Sequence, residues 1–99
     1  MVDPHWYRDP NFFFNNNHLF DEAPRKHDIY VGEYACNSGV GSGNLLAAIS
    51  EAAFILGMER NSDVVKMTSY APLFENVNQP NWPCNLIHFN SSQTFGRAS

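Results

Sequence analysis

Ile29-Tyr30-Val31-Gly32-Glu33-Tyr34-Ala35 is the stretch on which the fold turns. It is apolar and partly β-branched, and its polar neighbours lie outside it, which predicts a strand. Both of its faces read as buried, which suits a parallel sheet covered by helices. Downstream, Asn37 to Asn44 is a Gly-rich loop. Leu45 to Met58 then reads as the clearest helix, with Leu45, Ile49, Ala52, Ala53 and Leu56 at helical spacing and Asn44 or Ser42 as cap. Arg60-Asn61-Ser62 turns the chain into a second strand, Val64 to Ala71, which Pro72 ends. Upstream, Asp9-Pro10 predicts a helix start, because Asp caps free N–H groups and Pro at the first position gives up a donor without a partner. That helix runs over Asn11 to Phe20, weakened by three consecutive Asn. Asp21 to Asp28, with Pro24, reads as a loop.

Strands separated by helices imply parallel pairing with right-handed crossovers. His5-Trp6-Tyr7 falls just ahead of the first helix, where the loop after a preceding strand belongs. The tail from Glu75 to Ser99 is rich in Asn, Pro and Ser and has no clear period. Two strands and two helices do not close a parallel sheet, and a complete (β/α)8 barrel takes about 250 residues. The chain therefore reads as a piece of a larger α/β domain.

Composition agrees with that reading. The 99 residues are 43% hydrophobic and 14% aromatic, enough for one small domain or part of a larger one, and disorder is disfavoured. The net charge of −4 comes without a basic stripe, which argues against a nucleic-acid partner. No apolar run approaches the roughly 20 residues of a membrane span, and the opening Met-Val-Asp-Pro-His-Trp shows no charged-then-apolar leader. Cys36 and Cys84 form either one disulfide or, more ordinarily, two unrelated buried thiols. His5, His18, His27 and His88 are scattered, so no metal site is expected. Asn90-Ser91-Ser92 matches a glycosylation acceptor, which counts only in a secreted protein.

Glu33 stands out. A carboxylate near the C-terminal end of an apolar strand is costly to bury unless it is paired or hydrogen-bonded. In barrels that end of the strand carries catalytic groups. The competing reading is an ion pair with a Lys or Arg of a neighbouring strand. His5 and Tyr7, two residues apart, point to one side of an extended segment and together suit contact with a carboxylate and a sugar hydroxyl. An ordinary loop His and a packed Tyr are the plainer alternative. Trp6 either packs beneath the loop or stacks on a sugar. Glu51 and Glu59 read as solvated, and Glu75, in the last loop, is a weak binding candidate. Gly39-Val40-Gly41-Ser42-Gly43 has the setting of a dinucleotide loop but not its detail: the third small residue falls on Leu46, and Asp63 precedes the next strand instead of ending it.

Taken together, Val31-Gly32-Glu33-Tyr34-Ala35, Gly41-Ser42-Gly43-Asn44-Leu45, Glu51-Ala52-Ala53-Phe54, Glu59 to Val65 and Ser69-Tyr70-Ala71-Pro72-Leu73-Phe74 closely resemble the catalytic domain of family 51 α-L-arabinofuranosidases. Asp3 to Pro10 is similar to that family's His-x-Tyr segment, and Trp82 to Gly96 to the stretch after its last barrel strand. The resemblance implies a retaining glycosidase on a (β/α)8 TIM barrel with an added β-sandwich. Its substrates would be arabinoxylan, arabinan and arabino-oligosaccharides, from which it would release terminal α-L-arabinofuranosyl residues. It implies no cofactor. Glu33 matches the nucleophile, Tyr7 a residue that hydrogen-bonds it, and His5 an active-site histidine beside it. The strand ending near Val2 would be the sixth, that carrying Glu33 the seventh, and Val64 to Tyr70 the eighth.

On this reading residues 1–99 are the last three β/α units of the barrel, and the β-sandwich lies outside the chain. The family's acid/base Glu follows an Asn on an earlier strand, and no Asn-Glu pair occurs here. Pro4 replaces a common acidic residue, and Cys36-Asn37 a small or β-branched pair; neither removes a catalytic group. The chain alone is expected to be inactive and poorly soluble, with an open sheet edge and uncovered helix faces. The full-length enzyme is expected outside the cell, with self-association left open. The alternatives are a non-catalytic carbohydrate-binding module using Trp6, Trp82 and the tyrosines, and a nucleotide-binding βαβ unit.

Overall fold

A computed structural model describes residues 1–98; Ser99, the end of the irregular tail, lies outside them. The first unit runs β1 (His5–Arg8), α1 (Pro10–Asn15), β2 (Ile29–Cys36), α2 (Leu45–Arg60) and β3 (Val65–Tyr70). The three strands form one parallel sheet in the order β1-β2-β3. His5-Trp6-Tyr7 is thus strand, not the loop expected after one: its backbone is paired along β2, and Val2 adds an isolated bridge to Ile29.

Local chemistry sets the helix ends. The Asp9 carboxylate accepts from the Phe12 N–H at 2.9 Å and starts α1 at Pro10. The helix ends at Asn15 instead of running to Phe20. There the Asn16 N–H and side-chain amide both donate to the Phe12 carbonyl, at 3.0 and 2.8 Å, and close the last turn locally. Asn44 caps α2 through the Ala47 N–H at 2.9 Å.

The core lies between the sheet and the two helices, and Phe54 is its centre. The rings of Trp6, Phe12, Phe13, Phe20 and Tyr34 all lie 5.3–6.4 Å from that of Phe54. α2 buries Ala47, Ser50, Glu51, Phe54, Gly57 and Met58. The face expected from spacing is turned outward instead: Leu45, Ile49 and Leu56 are 51–66% exposed. Apolar residues ring this helix, so periodicity does not choose a side; close approach does. A side chain at Gly57 would lie 2.0 Å from the Asn17 carbonyl oxygen, so only glycine lets α2 meet the turn after α1.

Glu51 is not solvated but buried, because its Oε1 accepts from the Cys36 N–H at 2.6 Å and the Tyr70 hydroxyl at 3.1 Å, tying α2 to β2 and β3. Glu59 is exposed, as expected. Beside α2, Arg25, Asn61, Asp21 and Arg60 interlock the long connection with the helix end.

The tail holds a second sheet of three short strands, β4 (Phe74–Asn76), β5 (Ile87–Phe89) and β6 (Thr94–Gly96), with β4 and β5 parallel and β6 antiparallel. Strands of three residues are too short to show a period, which is why the sequence reads as irregular. The protein is thus α/β with two small sheets. The Ala71–Pro72 peptide, cis, links them. Cys36 and Cys84 are both buried free thiols, and burial raises the pKa of each. No helix among the described residues is long and apolar enough to cross a membrane.

Candidate active site

Strand pairing decides which side chains meet. Trp6 and Tyr34 are register partners and both pack on Phe54, on the helix side of the sheet. His5 pairs with Glu33, and alternation turns these two, and Tyr7, to the opposite, helix-free side.

Simple alternation fails at one point of β2. Val31 and Tyr34 both belong to the core although they are three residues apart. Both neighbours record the reason. From Val2↔Ile29 to His5↔Glu33, β2 advances four residues while its partner advances three. From Val31↔Thr68 to Tyr34↔Tyr70, β2 advances three while β3 advances two. One extra residue is therefore inserted at Gly32-Glu33, a β-bulge that turns two successive residues to the same face. A Cβ built on Gly32 would indeed meet the side chains of Asp3 and His5, the residues beside Glu33.

The result is a row of polar side chains across two strands. Tyr7 donates its hydroxyl hydrogen to Glu33 Oε2 at 2.5 Å. His5 Nδ1 lies 3.6 Å from the same oxygen, and His5 Nε2 is 3.1 Å from Asp3 Oδ1. Asp3 Oδ1 also accepts from the Gly32 N–H at 2.9 Å. Ser69 Oγ donates to the Gly32 carbonyl at 2.6 Å and is 2.8 Å from the Tyr30 hydroxyl, which fixes the bulge from the β3 side. The Tyr7 phenol is pushed up to about 12 by burial first, then by its hydrogen bond to Glu33 and the negative charge there. It remains a hydrogen-bond donor throughout the neutral range.

Glu33 departs from expectation in one respect. Its side chain is 44% exposed rather than buried, because it stands on the helix-free face. It makes no ion pair with Lys or Arg among the described residues; the imidazole of His5 stands beside it. Tyr7 and Glu33 line a cleft of about 560 Å³, whose other walls are Asn37, Ala71-Pro72 and Trp82-Pro83-Cys84. Trp6 packs in the aromatic core.

The remaining candidates lie elsewhere. Glu75 is buried and engaged, with His88 Nδ1 at 2.9 Å on one oxygen and the Asn85 amide at 2.9 Å on the other, so it is not a free binding group. His88 is likewise buried. The Gly-rich loop is tied to the tail: Arg97 donates to the Ser42 carbonyl at 2.8 Å, and the Cys84 thiol to the Gly41 carbonyl at 3.2 Å. Among the described residues no group of three His, Cys, Asp or Glu is placed to hold a metal ion.

Sequence reasoning missed Asp3 and the bulge. Asp3 continues the same two-residue spacing as His5 and Tyr7, so the signal was present. The bulge needed the register of two neighbouring strands. A carboxylate fixed by a phenol donor at a bulge within a strand, open to a cleft, can act as a nucleophile or stabilise a developing positive charge.

Comparison with known proteins gives this geometry a family. Residues 32–98 match the family profile described as the α-L-arabinofuranosidase C-terminal domain. Alpha-L-arabinofuranosidase 2 of Arabidopsis thaliana is 48% identical over 99 residues, covering 98% of this chain and 15% of its own length. The extracellular exo-α-L-arabinofuranosidase of Streptomyces chartreusis is 41% identical over 100 residues, covering 100% of this chain and 12% of its own length. The solved structure of an arabinose-bound GH51 α-L-arabinofuranosidase superposes with a TM-score of 0.84 at 32% identity, over 95% of this chain and 17% of that one. The chain spans about 15% of the length of the curated relatives it matches. It belongs to the family 51 α-L-arabinofuranosidases, as a C-terminal part of such an enzyme.

Proposed function

We propose that this chain is the nucleophile-bearing part of a retaining glycoside hydrolase that releases terminal α-L-arabinofuranosyl residues from arabinoxylan, arabinan or arabino-oligosaccharides. The first unit forms the end of a TIM barrel, with β1, β2 and β3 as its sixth, seventh and eighth strands. Three parallel strands joined through helices on one face support this placement. The earlier strands and the β-sandwich belong to the rest of the enzyme. The setting is extracellular, in keeping with the name of the Streptomyces relative.

Glu33 is the nucleophile. Its carboxylate attacks the anomeric carbon, and the bond from that carbon to the leaving oxygen breaks as a glycosyl ester forms. A second carboxylic acid, roughly 5–5.5 Å away and supplied by an earlier strand, protonates the leaving oxygen. The same group then takes a proton from water, whose oxygen attacks the anomeric carbon as the bond from that carbon to the Glu33 oxygen breaks, which frees Glu33 with net retention. Tyr7 steadies the charged carboxylate and aims it, and His5 flanks the ring. The fragment alone lacks the acid and is inactive.

One observation carries the reading: the Tyr7–Glu33 hydrogen bond lies on the wall of the cleft, with no Lys or Arg among the described residues to neutralise the acid. The test uses the full-length enzyme and an aryl α-L-arabinofuranoside. Glu33→Ala abolishes turnover, and azide restores it by replacing the lost nucleophile. A variant with near-normal rate would overturn the assignment.

A further inference from the structure

We propose that Trp82 is the stacking platform for the sugar on the leaving-group side of the scissile bond. This deepens the glycosidase reading and rests on it. Trp82 lines the cleft that holds Tyr7 and Glu33, yet its side chain is 64% exposed. An indole is mostly buried in folded proteins, and one left open on the wall of a cleft is available to a ligand.

The segment carrying it is held in place from behind. The Trp82 carbonyl accepts from the Asn85 amide at 2.7 Å, and Asn85 is 2% exposed. The same amide donates to Glu75 Oε1 at 2.9 Å, and Glu75 Oε2 lies 2.9 Å from His88 Nδ1. His88 stacks on Phe95 at 5.0 Å. Pro80 and Pro83 restrict the backbone on either side. The Glu75–His88 pair, unused in the chemistry, thus braces the loop that presents the indole. A surface ordered in advance binds with less entropy loss.

The walls select the ligand class. Among the described residues Glu33 is the one charged side chain lining the cleft, beside the hydroxyl of Tyr7 and the amide of Asn37. That composition suits a neutral polyhydroxylated ring, whose C–H face packs on an indole while its hydroxyls bond to the polar groups. The volume of about 560 Å³ falls within the roughly 300–1,000 Å³ that encloses drug-sized ligands.

The test compares two substrates of the full-length enzyme: an arabinofuranosyl disaccharide, which offers a second ring, and methyl α-L-arabinofuranoside, which does not. Trp82→Ala is expected to lower the disaccharide-to-methyl ratio of kcat/KM by roughly 3–10-fold, the scale of one aromatic contact, and Trp82→Phe to recover most of it. An unchanged ratio, with or without a general loss of rate, overturns the platform while leaving the glycosidase reading intact. If the wild-type enzyme turns over neither substrate, the glycosidase reading falls and this proposal with it.

Discussion

The hydroxyl of Tyr7 reaches across from β1 to donate to Glu33 Oε2 on β2 at 2.5 Å. The contact exists because the bulge at Gly32-Glu33 turns the carboxylate onto the face that the alternation of β1 gives to His5 and Tyr7. Two chain features far apart in sequence therefore make one site.

Removal of that donor is the first prediction. A hydrogen bond to a charged group contributes about 1.5–3 kcal/mol, so Tyr7→Phe in the full-length enzyme should lower kcat by roughly 10–100-fold. The phenol also titrates late. Its folded pKa, about 12, lies above the ordinary 10.0, so its contribution to stability is complete below pH 10.0 and is lost as pH rises towards 12. The difference in near-ultraviolet phenolate absorbance between wild type and Tyr7→Phe should place this transition near 12. A midpoint at the ordinary value would mean that Glu33 does not hold the proton on Tyr7.

Gly32 yields a second prediction. A Cβ there would lie 2.2 Å from Asp3 Oδ1 and 2.9 Å from His5 Nε2. Both are ends of partly exposed side chains that can swing into solvent, so folding should survive Gly32→Ala. The site should not. With Asp3 displaced, His5 loses the carboxylate that orients it, and a misplacement of about 1 Å costs on the order of 100-fold in rate. A nearly unchanged melting temperature with a large fall in kcat/KM is expected. Full activity would show that the Asp3–His5 contact is incidental.

Much of this architecture was legible in the sequence, for identifiable reasons. β2 announces itself by composition, Asp9 and Asn44 cap where short acceptors precede apolar runs, and the alternation of strands and helices implies the observed parallel sheet. The two-residue spacing of His5 and Tyr7 puts both beside Glu33. What stayed hidden depends on tertiary partners. The inward face of α2 is set by Phe54, by the contact at Gly57 and by Glu51 reaching the Cys36 N–H, while the equally apolar Leu45, Ile49 and Leu56 point outward. A buried carboxylate that satisfies a backbone donor looks, in sequence, like any helix-surface Glu. The exposure of Glu33 likewise follows from which sheet face carries the helices.

Gly57 tests that account of α2 directly. In an exposed helix, Gly→Ala stabilises by about 1 kcal/mol. Here the added methyl would sit 2.0 Å from the Asn17 carbonyl oxygen, a backbone atom that cannot rotate away. Gly57→Ala should therefore destabilise, by roughly 1–3 kcal/mol as overpacking does. Denaturant unfolding of the two proteins settles the sign, and a stabilised variant would refute the close approach of α2 to the turn after α1.

Acid provides the last prediction, through Asp21. The Asn61 amide at 2.7 Å, His18 Nδ1 at 2.7 Å and the Arg60 guanidinium at 3.0 Å hold its carboxyl well below the ordinary 3.8. A depressed folded pKa means that the unfolded chain binds the proton first as pH falls. The contribution of Asp21 is thus complete above the carboxylate range and is lost progressively below 3.8. Asp21→Asn should lower the melting temperature at neutral pH. The gap between the two proteins should narrow as pH drops through that range, because wild type loses the interaction that the variant never had. Melting curves over an acid series check this. A gap that stays constant with pH would assign the effect to packing of the side chain rather than to its charge.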